Sequence, residues 1–253
     1  MEHIKSEQSW GLSIITLARE KANALNEQMV EELMDAVVNA KLDPQVKGVV
    51  LASASPRFFS GGFDVAEVFA YDRSRMKSFF SRFMDLYEAL YKLPKPVVGA
   101  ISGHAYAGGA VLALTCDYRV MAEGGAGFAL NEIDLGFTLP PGIVRMALHA
   151  LGQRSGSWMV LSGHVFTPDQ AIECGLVDEK APPDSVLERA IERARMLASK
   201  PAQAFAIMKQ MTRELGGYGA GVSDHQELEP FLDSWFSPQA EEKKRALLQS
   251  LRA

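Results

Sequence analysis

Two cysteines, Cys116 and Cys174, are all that 253 residues contain, and neither sits in a CxxC or a Cys/His grouping. Their scarcity excludes a disulfide-stapled secreted scaffold and a thiolate zinc site, and leaves two thiols in a reducing compartment. No apolar run approaches the ~20 residues that cross a bilayer. The first ten residues carry acidic and polar side chains where a secretory leader needs an apolar stretch. No block of basic residues tracks a phosphate backbone either: 26 Lys and Arg face 31 Asp and Glu, and the net charge of −5 is spread along the chain. Neither a membrane nor a nucleic acid is an expected partner, and the expected location is cytoplasmic. The closing Leu251-Arg252-Ala253 does not spell a peroxisomal address. Local basic residues remain available to a small phosphorylated ligand.

What is present is an ordinary globular composition, 47% apolar and 23% charged, on a chain long enough for one sizeable core. Residues 11–17 and 46–52 predict strands; between them Asn26 opens a helix with Met29, Val30, Leu33 and Val37 on one face. Met76, Phe79, Phe80, Phe83, Tyr87 and Leu90 then repeat at helical spacing up to the Pro94/Pro96 break. Residues 97–101 predict a strand, 103–109 a small-residue turn, 110–114 a helix and 118–122 a strand. Alternating strands and helices predict an α/β fold with parallel pairing, since each crossover needs a helix to bring the chain back to the same sheet end. A doubly wound sheet and stacked ββα units both satisfy this pattern.

Beyond residue 140 the chain reads as helices at 140–151, 155–161, 168–174, 185–199, 202–215 and 239–251, with a glycine-rich break at 216–221. Lys209, in this helical part, reads as a solvated lysine or as one reaching a small ligand's phosphate.

Three segments carry chemistry. In Phe59-Ser60-Gly61-Gly62-Phe63-Asp64, two glycines after a strand let the backbone present amides without Cβ obstruction. In Gly103-His104-Ala105-Tyr106-Ala107-Gly108-Gly109-Ala110, a strand leads into a helix whose first amides are unpaired and carry positive potential, which suits an oxyanion. In Phe128-Ala129-Leu130-Asn131-Glu132-Ile133-Asp134-Leu135-Gly136, a carboxylate stands among apolar neighbours, where desolvation raises its pKa toward neutrality. Each alone is also what a tight turn, close helix packing or a capping glutamate requires. All three in order, in one chain, are more specific. His104 at the start of its turn predicts a structural hydrogen bond, and Tyr106 predicts a wall of the pocket.

Over nearly its whole length the chain resembles the enoyl-CoA hydratase/isomerase, or crotonase, superfamily. The resemblance rests on Lys21-Ala22-Asn23-Ala24-Leu25-Asn26, the segment from Phe59 to Asp64, Lys95-Pro96-Val97-Val98-Gly99-Ala100-Ile101-Ser102-Gly103, Cys116-Asp117-Tyr118, Glu132 with Gly136, and Ala171-Ile172-Glu173-Cys174-Gly175-Leu176-Val177. It implies a crotonase-like α/β fold: a core of repeated ββα units over residues 1–195, then a helical carboxyl-terminal region, 196–253, used in trimer assembly. It also implies acyl-CoA thioester substrates with no separate cofactor or metal, and a homotrimer or dimer of trimers. Position by position, the amides of Gly61 and Gly108 resemble the two oxyanion donors, and Glu132 the acid–base residue. Lys21, Ala22, Ala24 and the turn Gly62, Phe63, Asp64, Val65 resemble the adenine and pantetheine path. Tyr106, Val111 and Phe137 fall where the acyl pocket is expected.

Hydratases of the superfamily carry two glutamates, and the first of those positions is Val111 here. Hydration divides the orientation of water, its deprotonation and proton delivery between two carboxylates. Moving a double bond needs one base that takes a proton from the alpha carbon and returns it at the gamma carbon. Asn131 to Gly136, followed by Phe137-Thr138-Leu139-Pro140-Pro141-Gly142, is also similar to the monofunctional Δ3-Δ2-enoyl-CoA isomerases. The expected function is isomerisation of a 3-enoyl-CoA to the 2-enoyl-CoA, in fatty-acid or related acyl-CoA catabolism. The alternatives are hydration of a 2-enoyl-CoA, another enolate reaction such as thioester hydrolysis or decarboxylation, or a silent acyl-CoA-binding protein.

Overall fold

The computed structural model describes residues 1–216 and 228–251, and of Lys21 the backbone alone. Two sheets organise it. The larger contains, in spatial order, β1 (Ile4–Ser9), β2 (Leu12–Leu17), β3 (Gly48–Ser53), β5 (Val97–Ile101), β7 (Tyr118–Ala122) and β9 (Glu179–Ala181). The smaller contains β4 (Phe58–Ser60), β6 (His104–Tyr106) and β8 (Phe128–Ala129). Only the β1–β2 hairpin is antiparallel among the described pairs; the others are parallel. In each repeat a long strand enters the larger sheet and the next, short strand enters the smaller one. β3 leads to β4, β5 to β6 and β7 to β8, so the stacked ββα arrangement is the one present.

The helices between the strands are α1 (Glu20–Asn23), α2 (Glu27–Leu42), α3 (Val65–Val68), α4 (Arg73–Tyr91), α5 (Gly108–Leu114), α6 (Pro141–Ser162), α7 (Pro168–Glu173) and α8 (Val186–Ala198). Asn26 caps α2 by accepting the Met29 N–H at 3.0 Å, which answers one of the four orphan amides of the first turn. The apolar face expected of α2 is buried, as is the whole aromatic stripe of α4. Gly152, at φ 71° and ψ 170°, is not helical and kinks α6, so the run from Pro141 to Ser162 is two helices joined end to end, as expected at 140–151 and 155–161. α8 covers the face of the larger sheet made by Leu12, Ile14, Val50, Val98 and Val120. Residues 195 and 196, between which the boundary is expected, both lie within α8.

Three further helices follow: α9 (Ala202–Leu215), α10 (Leu228–Trp235) and α11 (Pro238–Ser250). Of the expected glycine-rich break, Gly216 is described and 217–221 lie outside the described residues. The expectations for Lys209 fail. Lys209 is buried on α9, with Nζ 2.6 Å from Asp117 Oδ2, while Arg213 reaches Asp117 Oδ1 at 2.7 Å. Asp117 Oδ2 also accepts the Val97 N–H at 2.8 Å. Burial pushes the Lys209 ammonium down and Asp117 opposes that shift. This cluster fastens α9 to the core; removing one partner of such a buried pair costs about 3–5 kcal/mol. No helix among the described residues is long and apolar enough to cross a membrane.

Candidate active site

The three chemically informative segments follow three neighbouring parallel strands. Parallel strands end at one edge, so β4, β6 and β8 deliver Gly61–Phe63, Ala107–Gly108 and Asn131–Glu132 to the same place. A cavity of about 160 Å³ opens there. Gly61, Phe63, Val65, Tyr106 and Gly108 line it, and so do Val111, Glu132 and Phe137. Ala22, Ala24, Gly62 and Asp64 are not among its lining residues.

Ala107 holds φ 48° and ψ −123°, a sparsely populated conformation for a residue with a Cβ, immediately before α5. Its own N–H donates to the Ala129 carbonyl at 2.9 Å. The next amide, Gly108, opens α5 and has no acceptor among the described residues, while α5 is joined from below by Val111 N–H to Ala107 O at 3.0 Å. An unpaired N–H at a helix start, facing a cavity, is an anion or oxyanion donor in waiting.

The first donor differs from expectation. Gly61 N–H is already committed to the Ala22 carbonyl at 2.9 Å and is not available to a ligand. Around it Leu25 N–H donates to Gly62 O at 2.7 Å, and Asp64 N–H donates to Leu25 O at 2.9 Å. Among residues 61–64 this leaves Phe63 N–H as the amide with no acceptor among the described residues. The Phe63 ring is locked edge-on against Phe79 at 4.9 Å and Phe83 at 5.0 Å, so the amide is held by a buried anchor. The expectation for Gly61 rested on the family resemblance. What frees an amide, however, is where the neighbouring strand of chain spends its carbonyls.

The Asp64 side chain is engaged within the protein. Its carboxylate pairs with Arg19 at 2.7 Å, both side chains mostly buried, and Arg19 also donates to the Ala24 carbonyl at 2.7 Å. Ala22 and Ala24 thus shape the loop from behind, outside the cavity, together with a residue whose role sequence reasoning missed. Asn23 is fully buried: Oδ1 accepts the Arg19 N–H at 2.9 Å, and Nδ2 donates to Ser53 Oγ at 2.7 Å and to the Phe59 carbonyl at 3.2 Å. A polar residue between two alanines in a strand-to-helix turn is the sequence signal that was there to be found.

Glu132 begins a 3₁₀ turn, Glu132–Leu135, directly after β8. The residue is half-buried, but its Oε2 is sealed from solvent and has no hydrogen-bond partner among the described residues. Burial pushes the carboxyl up to about 7, and its own backbone N–H opposes this. Val111, fully buried on α5, fills the same cavity. His104 has the structural role expected of it: Gly127 N–H donates to Nδ1 at 3.0 Å, and the Tyr106 hydroxyl lies 2.8 Å from the same nitrogen. Burial and Arg57 hold its pKa below the ordinary histidine value.

The opposite wall was not foreseen. Phe231 and Trp235 of α10 and Leu247 of α11 line the cavity, so the carboxyl-terminal helices complete it. Trp235 stacks on Phe137 at 4.2 Å, and Phe231 on Phe80 at 3.9 Å.

Known proteins share the fold that carries this cavity. Solved structures superimpose over almost the whole chain. Human mitochondrial Δ3-Δ2-enoyl-CoA isomerase matches with TM-score 0.93 at 24% identity, covering 99% of this chain and 98% of that one. An enoyl-CoA hydratase/isomerase from Xanthobacter autotrophicus matches with TM-score 0.86 at 26% identity, covering 99% and 94%. These likenesses establish the crotonase-like fold. Among curated sequences, mouse mitochondrial enoyl-CoA delta isomerase 1 is 29% identical, covering 83% of this chain and 73% of that protein. Carnitinyl-CoA dehydratase of Salmonella arizonae is 33% identical, covering 79% and 76%. Residues 7–219 match the sequence pattern described as enoyl-CoA hydratase/isomerase. A match that runs over most of the sequence shows the family directly: this chain belongs to the enoyl-CoA hydratase/isomerase family.

Proposed function

We propose that the protein is a Δ3-Δ2-enoyl-CoA isomerase that carries out proton transfer with Glu132 alone. The observation that carries this reading is the make-up of the cavity: Glu132 is its single carboxylate among the described residues, and Val111 occupies the wall where a second would act. The thioester oxygen of a 3-enoyl-CoA accepts hydrogen bonds from Phe63 N–H and Gly108 N–H. As the Glu132 carboxylate takes the proton from C2, the electron pair of that C–H bond flows into a dienolate whose charge rests on this oxygen. The same carboxyl then gives its proton to C4, leaving the double bond between C2 and C3. No atom is gained or lost. Coenzyme A enters as part of the substrate, and Lys21, Ala22, Ala24 and the turn through Val65 are proposed to lie along its path.

Valine at position 111 supports isomerisation over hydration because it offers nothing to orient water and keeps the enolate in apolar surroundings. Purified protein given a 3-enoyl-CoA is expected to develop the absorbance of the conjugated thioester with no change of mass. Mass spectrometry separates the alternatives. A gain of one water from a 2-enoyl-CoA means a hydratase, free coenzyme A means thioester hydrolysis, and binding without turnover means a silent acyl-CoA binder. Any of the three would displace the proposal.

The proposed homotrimer, or dimer of trimers, is supported by α9. Met208, Met211 and Leu215 are 66%, 54% and 85% exposed on that helix, an apolar stripe whose natural cover is a second copy of the chain. Sedimentation equilibrium is expected to give a mass three or six times the 27.6 kDa of the chain, and Met211→Lys to lower it. A monomer mass at micromolar concentration would rule the assembly out.

A further inference from the structure

Lys244 is an ammonium in the wrong place for a solvated helix. It lies on α11, the residue is 2% exposed, and its charge is met by one carboxylate, Glu241, at 2.7 Å. Four aromatic rings surround Nζ: the ring centres of Trp235, Phe236, Phe69 and Phe137 stand 4.7, 4.9, 5.6 and 5.9 Å away. Three of these rings, Phe69, Phe137 and Trp235, line the catalytic cavity. They form one packed set, with Phe137 stacked on Trp235 at 4.2 Å and Phe69 edge-on to Trp235 at 5.5 Å and to Phe137 at 6.4 Å. The rings come from the chain after α3, the loop after Glu132 and α10, three elements with no covalent reason to share a register. One cation attracted to the faces of all of them supplies that reason.

Burying an ammonium is unfavourable, and burial does push Lys244 below the ordinary lysine value, opposed by Glu241. A leucine or methionine would fill the same space without that penalty. What an apolar side chain lacks is directionality: it packs against rings in many arrangements, whereas a cation prefers their faces.

The geometry points to Lys244 as a specificity-determining positioning residue that pins the Phe69–Phe137–Trp235 wall and so limits the length of acyl chain the cavity accepts. The inference rests on the reading of the cavity as an acyl-CoA site, but not on the isomerase reaction. Its test is therefore a binding measurement. Dissociation constants of saturated acyl-CoAs from butyryl to dodecanoyl are measured by calorimetry for the wild type, Lys244→Met and Lys244→Arg, with free coenzyme A as the reference ligand. In the wild type affinity rises with each added carbon and then stops rising at a defined length. Lys244→Met is expected to move that breakpoint by two or more carbons or abolish it, with the affinity for coenzyme A itself unchanged; Lys244→Arg is expected to keep it. Should Lys244→Met fail to fold, Glu241→Gln decides, because Glu241 is half exposed and its loss frees the ammonium without emptying the core; it is expected to blur the same breakpoint. An unchanged breakpoint in the folded variants overturns the role of Lys244 alone. No binding at any length overturns the reading of the cavity and this inference with it.

Discussion

Replacing Glu132 with glutamine is expected to lower isomerisation about 10³-fold, in the range that a positioned acid–base group contributes. The amide keeps the shape of the side chain and removes its ability to carry a proton, so substrate affinity should change little and the loss should appear in kcat. The wild-type pH profile follows from the same carboxyl. A base must be ionised to act, and burial holds Glu132 at about 7. The rate at pH 6 should therefore be about a tenth of the rate at pH 8, rising with unit slope before levelling. Glu132→Gln should show no such rise. Retention of more than about a tenth of the activity by this variant, or a flat wild-type profile between pH 5.5 and 8.5, would contradict the assignment.

Stability must respond to the same group, with the opposite sign. Glu132 binds its proton more tightly folded, at about 7, than at the ordinary 4.5 of an unfolded chain. The contribution that favours folding is fully present below 4.5 and is lost as pH rises through about 7. Above that, the ionised carboxylate works against the fold by roughly 3 kcal/mol. Urea denaturation should find Glu132→Gln more stable than the wild type at pH 8, with most of the advantage gone by pH 5 and the rest lost below 4.5. Catalysis and stability thus draw in opposite directions on one oxygen that has no partner among the described residues.

How far the site could be read from sequence depended on the range of the interactions involved. Long elements with a strong period were legible: the α2 face, the α4 aromatic stripe and strands β3, β5 and β7 lie close to where patterning puts them. The apolar setting of Glu132 was legible too, since its neighbours in sequence are also its neighbours in space. β1 was missed because Ile4–Ser9 is a polar edge strand with one buried residue at its start. β6 was missed, and the strands before Gly61 and Glu132 were expected without bounds, because two or three residues carry no periodicity and their small and glycine neighbours read as turns. Those three strands nevertheless align the whole site. The assignment of the first donor to Gly61 failed for a related reason: its amide is claimed by Ala22, thirty-nine positions earlier, through a contact that no local pattern encodes. α10, and with it the far wall of the cavity, went unread as well.

The second large effect is expected at a glycine that contributes no atom to the cavity wall. Gly62 holds φ +92°, a conformation that a residue with a Cβ rarely adopts. A Cβ there would lie 3.0 Å from Ala107 Cβ, 3.1 Å from the Tyr106 carbonyl and 3.3 Å from the Gly108 nitrogen. Gly62→Ala therefore pushes on the turn that presents one proposed donor while its own backbone strain turns the other, since the next amide is that of Phe63. Loss of one oxyanion donor typically lowers kcat by about 10²–10³-fold, and a fall of about 10²-fold is expected here, with a much smaller change in the affinity for a saturated acyl-CoA. Gly61→Ala is the control. Its Cβ would meet Ala22 Cβ at 3.5 Å and Ala22 O at 3.7 Å, ordinary packing distances, so kcat should stay within a factor of a few. Equal losses in the two variants would mean that general crowding of the loop governs the rate, and that the free amides of Phe63 and Gly108 do not hold the enolate oxygen. Unequal losses in the expected order would tie the rate to the spacing of those two amides, because the two substitutions add the same methyl group to adjacent residues and differ in what that methyl group meets.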